Sequence, residues 1–246
     1  MLKMLLATAL LFSQPLINEE VTQSHPNTRA YWESTGGVVW EAKTKEKLIA
    51  LTFDDGPHPV YTPQISQLLE KYKARATFFV IGQRAESYKT LIQDLSKKGN
   101  EIANHTFSHP RLGRISKDKL LDEIKRTDDT IYSLTHKHTH LFRPPGGVYN
   151  EKIITTARTT SHLVVMWSWT QDTKDWSNPG AAKIANKVIS HAKPGNIVLF
   201  HDSGGNRLQT VKAVEQILHD LTEQGYKFVT VSELLHKTGK NVPAHR

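Results

Sequence analysis

Short apolar runs and helically spaced stretches alternate along the chain from Leu48 onward. Residues 48–53 (LIALTF) form a β-prone apolar run, and residues 60–73 place Ile65, Leu68, Leu69 and Tyr72 at helical intervals. Residues 76–81 read as a strand, and residues 85–98 as a helix through Leu91, Ile92 and Leu95, ended by Gly99. The beat continues with strands at 101–103, 141–142, 163–167, 197–200 and 227–231, and helices at 117–134, 151–160, 179–192 and 208–223. This alternation predicts an α/β fold, a parallel sheet with outer helices, and about seven strands suit a barrel or near-barrel.

A chain of 246 residues, 38% hydrophobic and 23% charged, buries a full core, and one domain over residues 48–236 accounts for the whole alternation. There is no cysteine, which excludes disulfides, thiolate ligands, a cysteine nucleophile and a bacterial lipoprotein anchor. Any metal has to be held by His, Asp or Glu. The formal charge of +8 favours an anionic partner, such as nucleic acid, anionic lipid or an acidic wall polymer. No helix-turn-helix, zinc-finger or RNA-recognition pattern accompanies it, so nucleic acid is not expected. Met1-Leu2-Lys3 followed by the apolar run 4–12 reads as a secretory signal or N-terminal anchor over residues 1–17. Export is therefore expected, to a secreted or wall- or membrane-associated location, with association to an anionic wall or membrane surface through the N-terminus. Residues 18–47 read as a linker and N-terminal cap, and 237–246 as a tail.

The polar chemistry collects where the strands end. Asp54 and Asp55 follow the first strand. Neighbouring side chains on a regular strand point to opposite faces, so the two share a pocket only if the strand breaks there, which Gly56 permits. His105-Thr106-Phe107-Ser108-His109 follows the third strand, Arg143 the fourth, Asp172 to Trp176 the fifth, and His201-Asp202 the sixth. All five clusters fall on one rim, whereas a solvated loop set would scatter them over both. His105 and His109, four apart, place two imidazoles on one side of a helical turn. With a carboxylate from Asp54 or Asp55 they give a metal site with room left for water. His136, His138 and His140 alternate across a Thr-Lys-rich connection and read as a solvated loop.

Taken together, Thr52-Phe53-Asp54-Asp55-Gly56, His105 to His109, Arg143-Pro144-Pro145-Gly146, Asp172 to Trp176 and Leu199-Phe200-His201-Asp202 resemble the polysaccharide deacetylase family, which shares the nodulation-protein-B homology domain. The resemblance implies a distorted (β/α) barrel and a metal-dependent hydrolase; a monomer is expected. Its substrate would be a cell-wall polysaccharide, losing N-acetyl groups from N-acetylglucosamine or N-acetylmuramic acid units. Carried over by position, Asp55, His105 and His109 would hold one divalent ion, with zinc favoured by availability over cobalt or nickel. Asp54 would be the general base and His201 the acid, with Asp175 behind His201 and Arg143 steadying Asp54. The Gly146 N–H would meet the oxyanion, and Trp176 and Leu199 would line the slot for methyl and sugar. Asp172 and Asp202 are the weaker candidates of their blocks, Asp172 reading as structural, and Gly146-Gly147 supplies no side chain where many relatives carry an aromatic or charged one. O-deacetylation, or a wall-binding protein of the same fold without activity, are the alternatives.

Overall fold

Every residue of Leu48–Asp54 is buried, because this strand is covered on both faces. The structure, a computed structural model, describes residues 28–239; the predicted signal or anchor at 1–17 and the residues from 240 on lie outside them. In chain order the elements are α1 (Arg29–Ser34), β1 (Val38–Val39), β2 (Leu48–Asp54), α2 (Tyr61–Lys71), β3 (Thr77–Val80), α3 (Gly82–Ser87), α4 (Lys89–Lys97) and β4 (Glu101–Asn104). There follow α5 (Lys117–Thr135), β5 (Leu141–Phe142), α6 (Glu151–Thr159), β6 (Leu163–Val165), α7 (Ala181–Ser190), β7 (Ile197–His201), α8 (Leu208–Glu223), β8 (Lys227–Phe228) and α9 (Val231–Lys237).

All the strand pairings are parallel, in the order β1-β6-β5-β4-β3-β2-β7, with β8 beside the start of β2. Two isolated bridges, Glu41 with Asn196 and Asp172 with Leu199, draw the connecting segments against β7. The sheet thus curls into a distorted barrel, as the alternation predicts. Ile49, Leu51 and Phe53 face the helices, where Phe53 stacks between Phe78 and Phe200 at centroid distances of 5.0 and 5.5 Å. Leu48 and Ala50 face inward with Phe79, Ala103, Leu141, Val165 and Ile197. Thr52 and Asp54 continue that inner face upward, so the strand's own alternation delivers one acid to the top of the barrel interior.

Three elements differ from the sequence reading. The stretch Val38-Val39, placed in an N-terminal cap, is a strand paired with β6, and Trp32, Val38 and Trp40 are buried beside it. Residues 85–98 form two helices, interrupted at Tyr88 (φ −125°, ψ 50°). Gly82 N–H and Gln83 N–H donate to the carbonyls of Thr106 and Phe107, both at 3.0 Å, so α3 takes its direction from that rim loop while α4 packs on β4 and α5. Finally, residues 227–231 are a strand only at Lys227–Phe228. Thr230 and Glu233 then form a capping box that starts α9. Val231, Leu234 and Leu235 cover the inner cluster against Leu48, Leu141, Leu163 and Ile197, closing the barrel at the strands' amino-terminal ends.

Candidate active site

Asp54 ends β2 and Asp55 starts the turn after it. Asp55 has φ 72°, so the strand breaks at Asp55 itself rather than through freedom at Gly56. Gly56 provides space: a Cβ there would collide with both carboxylate oxygens of Asp202. Asp202 is fully buried, accepts a short hydrogen bond from the Thr62 hydroxyl and leaves its second oxygen without a partner. Burial pushes its pKa up to about 7, against the Thr62 bond and with the charges of Asp55 and Asp54 adding to the rise. Asp54 Oδ1 accepts from Arg143 Nη1 at 2.8 Å. The fully buried Arg143 spends its other donors on Thr52 Oγ1, Val165 O and Met166 O, at 2.7, 3.0 and 2.9 Å, and lies over the Phe79 ring. It is thereby fixed in place as the cation paired with a buried carboxylate.

Asp55, His105 and His109 bring one ligand atom each to within 4.8 Å of one another. Asp55 Oδ1 lies 3.4 Å from His105 Nε2 and 3.2 Å from His109 Nε2, and it is buried without a hydrogen-bond partner. His105 Nδ1 donates to the Arg143 carbonyl at 2.7 Å, which aims the lone pair of Nε2 at the pocket. The histidines do not share a helical turn. Thr106 and His109 have positive φ, and the loop between β4 and α5 is held by Ser108, whose N–H and hydroxyl donate to buried Glu123 at 2.7 and 2.9 Å. Burial alone would raise the Asp55 pKa, but the two imidazoles hold it well below the usual carboxylate range, and the same contact raises that of His109. Two imidazoles and an ionised carboxylate, one of whose oxygens is buried without a hydrogen-bond partner, fit a divalent cation.

His201 Nδ1 donates to Asp175 Oδ1 at 2.7 Å. Asp175, fully buried, receives the His201 N–H at 2.9 Å and the Thr210 hydroxyl at 2.8 Å on its other oxygen. Burial lowers the His201 pKa, yet the bond and charge of Asp175, with the charges of Asp54 and Asp55, hold it above the ordinary imidazole value. The ring therefore keeps its protons toward higher pH, with Nε2 left to act.

An arginine-paired carboxylate, a cluster able to hold a metal and a carboxylate-backed imidazole on one rim are the groups a hydrolytic site needs, and the chain is similar to known hydrolases. A family model described as polysaccharide deacetylase matches residues 41–165. The chain belongs to the polysaccharide deacetylase family. A peptidoglycan-N-acetylglucosamine deacetylase of Bacillus cereus is 49% identical to this deacetylase over 203 residues, 82% of this chain and 95% of that protein. The peptidoglycan-N-acetylmuramic acid deacetylase PdaC of Bacillus subtilis is 39% identical over 77% of this chain, a match that spans 39% of PdaC. The crystal structure of a peptidoglycan N-acetylglucosamine deacetylase in complex with 4-naphthalen-1-yl-N-oxidanyl-benzamide superposes with a TM-score of 0.81. That match has 29% identity and covers 87% of this chain and 99% of the other.

In the deacetylase, all ten predicted site residues except the buried pair Arg143 and Asp175 line one open cleft of about 560 Å³. Gly146 (φ 68°) forms its lip, Leu199 its floor, and Trp176, 57% exposed, its outer edge. Asp172 also borders the cleft, bridged to Leu199. The side chain missing at Gly147 is replaced from another strand end: a Cβ there would collide with the ring of Trp167. Trp167, Gly204 and Arg207 line the cleft too and were missed. The signal available for Arg207 was a Gly204-Gly205 pair directly after the fifth block, leading into α8. His136 caps α5 in the left-handed region and His138 stacks on Tyr132 at 4.4 Å; among the described residues these histidines join no metal cluster.

Proposed function

We propose that this deacetylase is a divalent-metal hydrolase removing N-acetyl groups from N-acetylglucosamine or N-acetylmuramic acid units of a cell-wall polysaccharide, foremost peptidoglycan. The observation that carries the reading is the pairing of two proton-handling groups around one ligand cluster: Asp54 fixed by Arg143, and His201 fixed by Asp175. The names and 39–49% identity of the two bacterial relatives support the substrate class.

Bound at Asp55, His105 and His109, a divalent ion would supply Lewis acidity toward the acetyl carbonyl and toward water. Asp54 accepts the proton of the attacking water, and Arg143 holds it aimed through its hydrogen bond. The N–H of Gly146 donates to the oxyanion that develops, a contact of the type worth about 3 kcal/mol. His201 gives its Nε2 proton to the departing sugar amine, while Asp175 holds the tautomer that makes this possible. Leu199, Trp176 and Trp167 offer apolar surface to the methyl group and sugar face. Zinc is the proposed ion on availability, and the donor set also suits cobalt or nickel. The polymer lies outside the cytoplasmic membrane, so export is part of the proposal, supported by the charged start and the apolar run at 4–12. One chain supplies every group of the site, and the enzyme is proposed to act as a monomer.

The test is to incubate metal-loaded protein with N-acetylglucosamine oligomers, intact peptidoglycan and acetylated xylan, measuring acetate and free amine. Acetate with stoichiometric amine supports the reading. Acetate without amine makes the enzyme an O-acetyl esterase, and neither product from any substrate makes it a binding protein.

A further inference from the structure

Arg207 is a buried cation that the reaction described above does not use. Its side chain is 3% exposed and borders the catalytic cleft. Nε donates to the Ser203 carbonyl at 2.7 Å and Nη2 to the Gly204 carbonyl at 3.0 Å. No carboxylate of the described residues stands within ion-pair distance of it. The carboxylate across the gap, Asp55, turns its Oδ1 to His105 and His109, at 3.4 and 3.2 Å, while its Oδ2 faces the gap without reaching ion-pair distance of the guanidinium. A guanidinium taken out of water without a counter-charge is costly, and carbonyl oxygens offset only part of that cost. Arg143, the buried arginine behind Asp54, has its carboxylate; Arg207 does not.

The loop geometry keeps this cation accessible from the cleft. Position 204 is a glycine with φ 79°, and a Cβ there would stand 3.3 Å from both Arg207 Nη2 and Asp55 Oδ2. Any side chain at 204 would fill the gap between the guanidinium and the ligand cluster. Arg84 clamps the same loop from the far side through a short hydrogen bond to the Ser203 hydroxyl. The loop is thus held, the gap is open, and a planar donor fork suited to carboxylates borders it.

We propose that Arg207 forms an anion subsite that receives a carboxylate carried by the polysaccharide beside the sugar being deacetylated. The subsite rests on the proposed reaction for its substrate class, and it gives the cleft a preference for an acidic glycan over a neutral one.

The probe is the disaccharide of N-acetylglucosamine and N-acetylmuramic acid with its lactyl carboxylate free, compared with its methyl ester. Affinities are measured by titration calorimetry on metal-loaded protein, and acetate release is followed in parallel. The wild type should bind the free acid about tenfold or more tightly than the ester, the scale of one hydrogen-bonded charge pair. Arg207→Gln should bind the two alike, and Arg207→Lys should keep part of the preference. Equal affinities in the wild type overturn the subsite, and so does a preference that survives in Arg207→Gln. If Arg207→Gln does not fold, Arg207→Met, which keeps the bulk and removes the charge, takes its place, and a carboxylate preference that survives in it overturns the subsite. A second arm titrates sodium acetate as inhibitor. Weaker inhibition in Arg207→Gln with the disaccharide preference intact assigns the site to the product and overturns the polymer assignment. A carboxylate preference without acetate release leaves the subsite standing and sinks the proposed reaction instead.

Discussion

Asp54 and His201 are Cα partners across the parallel strands β2 and β7. In-register residues of parallel neighbours project to the same face, so the sheet alone sets the proposed base beside the proposed acid. Each is then fixed by one buried ion of opposite sign, Arg143 for Asp54 and Asp175 for His201.

Asp54→Asn keeps the shape of the side chain and removes its basicity. Bound metal should remain stoichiometric while kcat falls by about a hundredfold or more. Metal analysis beside the kinetics checks this, and parallel loss of metal would make Asp54 a ligand.

His105→Ala and His109→Ala each delete an imidazole from the cluster around Asp55 Oδ1. Both variants should lose metal affinity, and chelation of the wild type should abolish activity that added metal restores. Full metal content in His109→Ala would show the site to be misassigned.

The imidazole of His201 is raised in pKa, so its acid form persists above the usual range and is lost only as pH climbs through the raised value. Activity on the amide should therefore fall on the alkaline side, and Asp175→Asn should bring that fall to lower pH. His201→Ala should lose far more activity on an N-acetyl sugar than on an activated acetyl ester, whose leaving group needs less protonation. Equal losses on the two, in folded and metallated protein, would remove the acid role.

Asp202 gives a stability test. Its carboxyl titrates near pH 7 in the folded metal-free protein and near 3.8 when unfolded, so the folded state holds the extra proton between those values. Its contribution is fully present below about pH 4, is lost as pH rises toward 7, and is flat above. Asp202→Asn cannot ionise, so the stability of the wild type relative to it should decline over that window in denaturant melts. A pH-independent difference would show that Asp202 is ionised throughout.

Much of this site was legible because its groups sit in short blocks at strand ends. Asp54, Asp55, His105 and His201 each follow an apolar run within one or two residues, so the run predicts the strand and the acid or imidazole marks the rim, and His109 stands in the same short block as His105. What escaped depends on distance in the chain or on burial. Trp167 matters only because it meets Gly147, and Arg207 only because it is buried without a carboxylate. β1 is two residues long, too short for any period to show. For α9 the signal was present in Thr230 and Glu233, but the apolar residues before it argued for a longer strand.

The strand break at Asp55 has one more consequence. Asp54 and Asp55 are the same side chain on consecutive residues, yet one is read as base and the other as ligand. The difference between them is a backbone torsion, extended at the last residue of β2 and 72° at the next. Exchanging the two side chains would change nothing. A perturbation that returned residue 55 to negative φ would turn its carboxylate away from both histidines while every functional group remained in the sequence, and the protein would carry a complete set of catalytic residues with no catalyst among them.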